Sequence, residues 1–158
     1  MCGAKGLSAA ALAICVGLSF ATAQTTSSAQ AGDRWKSIQF LIGDWAAKGD
    51  GATGASGGAY SFKAELNDQI LVRHSYAEYG GAAQQRHDDL LIVYAETPGK
   101  PMHAIYFDSE GHVIKYNVKP AANSVLFESD PAEPGPKYRL SYRLVEKNLS
   151  GKFEKHGI

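Results

Sequence analysis

Past residue 41 the chain is written in short apolar–polar runs rather than in helical stretches. Candidate strands read at 42–48, 59–66, 70–79, 89–95, 101–107, 112–119, 123–128, 137–146 and 149–154. Turn residues separate them: Asn67-Asp68, Gly80-Gly81, Pro98-Gly99, Asp108 to Gly111, Pro120 to Asn123, Pro131 to Pro136 and Lys147-Asn148. Before them, Trp35, Ile38 and Leu41 recur at three-residue spacing behind Asp33, which predicts a short capped helix. Many short strands at this spacing, with no helical pattern between them, predict an antiparallel barrel or sandwich of about nine strands and exclude parallel βαβ units.

The alternation also predicts faces. Tyr138, Leu140, Tyr142 and Leu144 point one way, Arg139, Ser141 and Arg143 the other. Leu90, Ile92 and Tyr94 on one face and Leu91 and Val93 on the other make 89–95 apolar on both sides, as in a covered strand. A two-residue turn at Asn67-Asp68 would set Phe62 opposite Arg73. A three-residue turn sets Phe62 opposite His74 and gathers Tyr60, Phe62, Ala64, Ile70, Val72, His74 and Tyr76 on one face, so it is preferred. Pairing across Ser109-Glu110 puts His103, Ile105, Phe107, His112, Ile114 and Tyr116 on a shared face. Arg73, Arg139 and Arg143 fall on the outer face. Turned inward, they would hold a ligand carboxylate bidentately.

The first 23 residues read as an address. Lys5 precedes an apolar run from Leu7 to Phe20, and Ala21-Thr22-Ala23 supplies a small-x-small cleavage pattern. The run is interrupted and shorter than the roughly 20 residues a spanning helix needs. The expected organisation is a signal peptide over 1–23, a flexible polar leader over 24–32 and one folded domain over 33–158. The expected location is periplasmic or secreted, with no membrane span in the mature chain. Cleavage would remove Cys2 and Cys15, leaving no disulfide or thiolate site. With 16 basic and 16 acidic residues, no charge excess points to nucleic acid or membrane.

Several motifs resemble chemistry without its context. Gly49 to Gly54 matches G-x-G-x-x-G and Gly54 to Gly58 matches G-x-S-x-G, but a strand follows, not the helix that either site needs. Both read as a glycine-rich hairpin loop at the barrel mouth. His103 and His112 would lie roughly 13 Å apart along their hairpin, too far for one metal. His87-Asp88-Asp89 reads as a solvated turn entering a strand. No metal site or catalytic residue is expected. A haem needs one axial histidine, for which His74 and His103 are the candidates.

Gly43-Asp44-Trp45, following a short helix and opening a strand, resembles the G-x-W signature of the calycin superfamily of lipocalins, fatty-acid-binding proteins and nitrobindin-like haem barrels. Phe40 to Trp45, Asp88 to Tyr94, Tyr106 to Tyr116 and Tyr138 to Arg143 resemble small secreted bacterial lipocalin-like proteins of unknown function. The resemblance covers about residues 35–154. It implies an all-β, up-and-down lipocalin-like barrel without established catalytic residues, with Trp45 packing at the closed end. Nitrobindin-like relatives ligate haem through a histidine near the chain end. Only His156 stands there, outside any strand alternation, so the role does not carry over. Similar proteins continue past Glu154 with a further strand, so incomplete closure at the C-terminal side is expected, with an exposed edge that could self-associate.

The leading expectation is an exported, non-enzymatic module that binds a small apolar or amphipathic molecule in a barrel cavity. Its candidate ligand residues are Phe62, His74, Tyr76, Tyr94, His103, Ile105 and Tyr116. The alternatives are a structural or interaction protein whose rings fill the core, or a histidine-ligated haem barrel.

Overall fold

In a computed structural model, the described residues are 34–47, 55–80, 85–132 and 134–156. The expected signal, the leader, the Asp33 cap and the Gly49–Gly54 motif lie outside them. Nine strands follow a short 3₁₀ helix over Lys36–Leu41. They are β1 (Gly43–Ala47), β2 (Ala55–Glu65), β3 (Ile70–Tyr79), β4 (Gln85–Ala95), β5 (Met102–Asp108), β6 (Val113–Ala121), β7 (Ser124–Ser129), β8 (Lys137–Val145) and β9 (Asn148–His156). Each pairs antiparallel with the next in one up-and-down sheet. The sheet curls into a nearly closed barrel. Among the described residues no helix is long and apolar enough to cross a membrane.

Among the described residues no ladder joins β1 to β9. The seam is bridged by side chains instead. The Tyr60 hydroxyl donates to the Leu149 carbonyl at 3.4 Å, and the Tyr60 ring lies 5.8 Å from that of Tyr142. The expected incomplete closure is therefore present, although β9 runs to His156 and is longer than its alternation indicated.

One parity of every strand faces inward. Phe62, Leu71, Leu91, Val93, Ala104, Ile114, Tyr116, Val125, Phe127, Leu140 and Tyr142 form the buried core. The faces of β8 are as the alternation predicts. The 3₁₀ helix closes one end, burying Trp35, Ile38 and Leu41. Arg34 donates to the Ala95 carbonyl at 3.0 Å and Trp35 Nε1 to the Asp68 carbonyl at 3.2 Å. Trp45, half-buried on the inner face, donates from Nε1 to the Leu41 carbonyl at 2.8 Å, fixing the junction of helix and first strand.

Two registers differ from expectation by one residue. In β2–β3, Phe62 pairs with Arg73 and Ser61 with His74, around a four-residue loop, Leu66 to Gln69. Leu66, Asn67 and Asp68 all take left-handed φ (52°, 55° and 62°), and Gln69 N–H closes onto the Glu65 carbonyl at 3.0 Å. In β5–β6, Tyr106 pairs with Ile114 and Phe107 with Val113. There Gly111, at φ +89°, belongs to the loop and makes it three residues long, a turn plus left-handed glycine. Since side chains alternate with period two, each slip exchanges the faces. Ile70, Val72, His74, Tyr76, His103, Ile105 and Phe107 therefore point outward, while Arg73 and Tyr106 point in. Arg73 on the outer face is thus corrected; Arg139 and Arg143 do lie outside.

Candidate functional site

The middle of the barrel is filled by rings. Phe62, Tyr116 and Phe127 are essentially fully buried. Tyr142 meets Phe62 edge-on at 5.5 Å and Phe127 at 6.3 Å, and Phe127 meets Tyr116 at 6.2 Å. Edge-to-face packing of this kind adds about 0.5–1.5 kcal/mol per pair beyond area burial.

A polar chain threads this apolar interior. Arg73 reaches Asp89 with one guanidinium nitrogen and the Tyr142 hydroxyl with the other. Their β-ladder explains half of this: Ser75 pairs with Asp89, so Arg73 is its diagonal neighbour on the same face, within reach of a long side chain. The other half crosses the barrel from β3 to β8. The two charged side chains are 6% and 9% exposed. Burial alone would lower the Arg73 pKa, but Tyr142 and Asp89 reverse this and hold it above its ordinary value. Arg73 Nε and the Tyr116 hydroxyl are buried with no hydrogen-bond partner among the described residues. Burial also raises the phenols: Tyr60 to about 12, and Tyr106, Tyr116 and Tyr142 well above the usual value.

Toward the open end the chain continues through His87, whose Nε2 lies 4.0 Å from Asp89 and 3.0 Å from the Tyr106 hydroxyl. His87 Nδ1 meets Glu110 at 3.1 Å. Asp108 accepts from the backbone N–H groups of Glu110 (3.0 Å) and His112 (2.9 Å), and its other oxygen meets His112 Nδ1 at 2.8 Å. Desolvation opposes the ionised form of Asp108, but these hydrogen bonds prevail and hold its carboxyl below the usual range. His87 to Asp89, expected as a solvated turn, is part of β4, and Asp89 is the buried partner of a cation.

A groove of about 960 Å³ crosses the outer wall of β1–β5. Its floor is one ladder row, Trp45–Tyr60–Ser75–Asp89–Asp108. Asp44, Ser61, His74, Leu90 and Phe107 stand along one side, Ala46, Ala59, Tyr76, Asp88 and Ser109 along the other. Arg86 covers the Tyr76 ring at 4.1 Å and ion-pairs with Asp88 at 2.8 Å. Arg86 is held above and Asp88 below its ordinary pKa, in each case chiefly by the hydrogen bond between them.

No protein-family model matches this chain, and no curated protein matches it.

The candidate ligand residues thus divide into three places. Phe62 and Tyr116 lie in the ring-filled centre. His74 and Tyr76 line the groove. Tyr94 and His103, with ring centroids 6.0 Å apart, and Ile105 lie on the outer face of β4–β5. Neither haem candidate, His74 nor His103, faces the interior. The residues that sequence reasoning missed are Asp89, Tyr106 and Arg86; it singles out Arg73 but assigns it to the outer face. Arg73 and Asp89 share parity with the most apolar positions of their strands, Leu71 and Leu91–Val93, and that parity was the available signal.

Proposed function

We propose that the protein is an exported, non-enzymatic binding module of calycin type that takes a small amphipathic molecule in the groove across β1–β5. The observation that carries this reading is the make-up of the groove. Its volume matches that of small-molecule sites, about 300–1,000 Å³. Leu90, Phe107, Ala46, Ala59 and the Tyr76 ring supply apolar surface, and Arg86, Asp88, His74 and Asp44 surround it with charge and hydrogen-bonding groups. The barrel centre, filled by its own rings, serves as the scaffold. Export rests on the pattern of the first 23 residues.

A second reading places the ligand inside. The two orphan groups, Arg73 Nε and the Tyr116 hydroxyl, favour it, because buried unpartnered donors call for an acceptor. Titration of the full chain with a fluorescent long-chain fatty acid separates the two. The groove reading expects a Tyr76→Ser, Phe107→Ser variant to bind at least tenfold more weakly and Tyr116→Phe to bind as wild type. The reverse pattern moves the ligand to the interior. Absence of binding by the wild type, with no adduct in native mass spectrometry, would refute both and leave the filled barrel as a structural or interaction protein.

A further inference from the structure

At the open end, His87 of β4 and Asp108 and Glu110 of the β5–β6 turn bring one imidazole and two carboxylates together. One ligand atom from each lies within 4.8 Å of the others. We propose that these three side chains form a site for a divalent first-row transition ion. With metal–nitrogen and metal–oxygen bonds of about 2.0–2.2 Å, neighbouring ligands of a tetrahedral ion stand about 3.3–3.6 Å apart. His87 Nδ1 and Glu110 Oε1, 3.1 Å apart, already stand near that spacing, and an ion would draw the Asp108 carboxylate in from within 4.8 Å.

The surroundings are arranged as a metal site requires. The Tyr106 hydroxyl engages His87 Nε2 while Nδ1 faces Glu110; such contacts fix the orientation of a ligating imidazole. Asp108 is almost fully buried and held by two backbone N–H groups. The turn is fastened to β4 where Ser109 N–H meets the Asp88 carbonyl at 2.9 Å, so the ligands come from two segments already locked together. Two carboxylates balance a dication, and the imidazole selects zinc, nickel, cobalt or copper over calcium or magnesium. His112 Nδ1 touches both carboxylates, at 2.8 Å from Asp108 and 3.8 Å from Glu110, and supports them from outside the triad.

The test is calorimetric titration of the chelator-treated full chain with zinc chloride, with Cys2 and Cys15 alkylated so that thiolates contribute nothing. The expected result is one ion per chain with a micromolar or tighter Kd. Glu110→Gln, at an exposed position, and His87→Gln should each weaken binding at least tenfold, while His156→Gln leaves it unchanged. Circular dichroism checks that the variants fold. A cobalt spectrum with d–d bands altered by His87→Gln gives a second readout should that variant bind zinc elsewhere. No zinc binding, or binding indifferent to both Glu110→Gln and His87→Gln, overturns the proposal. So does equal loss in His156→Gln.

Discussion

Asp89 is the group whose removal the barrel should tolerate least. Its carboxylate and the Arg73 guanidinium are both more than nine-tenths shielded, with apolar rings around them. In Asp89→Leu the cation keeps the Tyr142 hydroxyl and the faces of the Tyr106 and Tyr142 rings, and loses its carboxylate. Stranding one member of a buried pair costs about 3–5 kcal/mol, a large part of the roughly 5–15 kcal/mol that holds a domain folded. With a urea m-value of about 2 kcal/mol/M, the unfolding midpoint should fall by about 1.5–2.5 M. Removing both charges has a different sign. Arg73→Met with Asp89→Leu trades two desolvation penalties for apolar contact and should recover most of that loss, or exceed wild type. Urea denaturation of wild type, both single variants and the double variant gives the coupling energy. If Asp89→Leu costs under about 1 kcal/mol, or the double variant is as damaged as the single, the pair is not buried as described and the reasoning fails.

Two further outcomes follow from the same interior. Tyr60, Tyr106, Tyr116 and Tyr142 favour the neutral phenol in the fold, whereas an unfolded tyrosine ionises near pH 10. A raised folded pKa gives stability that is complete below about pH 10 and is lost as pH rises toward 12 and beyond. Absorbance near 295 nm, followed with circular dichroism on wild type and on Tyr-to-Phe variants of these four, should show them ionising only as the fold collapses; their smooth titration in an intact fold would contradict this. At Gly58 an added Cβ would stand 2.3 Å from the Tyr76 carbonyl oxygen, a clash with backbone that no rotamer relieves. Gly58→Ala should cost about 1–3 kcal/mol in thermal or urea unfolding, and a neutral result would mean that β2 and β3 are further apart than this.

The fold was legible because nine short apolar runs are separated by turn residues, with no helical pattern between them. On β8 even the faces could be read, since Tyr138, Leu140, Tyr142 and Leu144 alternate with charge and hydroxyl without interruption. The two hairpins were harder, because a face there depends on loop length. Gly111 reads equally well as the last loop residue or as the start of the next strand, and only its left-handed backbone decides. Leu66 gives no turn signal at all, yet it takes a left-handed φ and lengthens its loop. Both miscounts exchanged inner and outer residues and turned His74, Tyr76, His103 and Ile105, four of the seven candidate ligand residues, to the outside of the barrel. The Arg73–Asp89 pair was hidden for another reason. Each charge alone suggests the outer wall, and their mutual satisfaction exists only after β3, β4 and β8 have come together.

The unjoined edge between first and last strands bears on how much this small barrel can yield. In a sheet hydrogen-bonded all the way round, widening the girth means breaking a ladder. Here, among the described residues, the circumference is fastened by a long phenol-to-carbonyl contact and neighbouring rings. Loosening it would sacrifice about 1–3 kcal/mol for a hydrogen bond and a ring pair, less than unzipping a whole ladder of such bonds. A molecule pressing against β1 and β2 from outside would therefore meet the part of the wall that gives way first, and its arrival could be felt at Tyr142 and, through it, at the buried arginine.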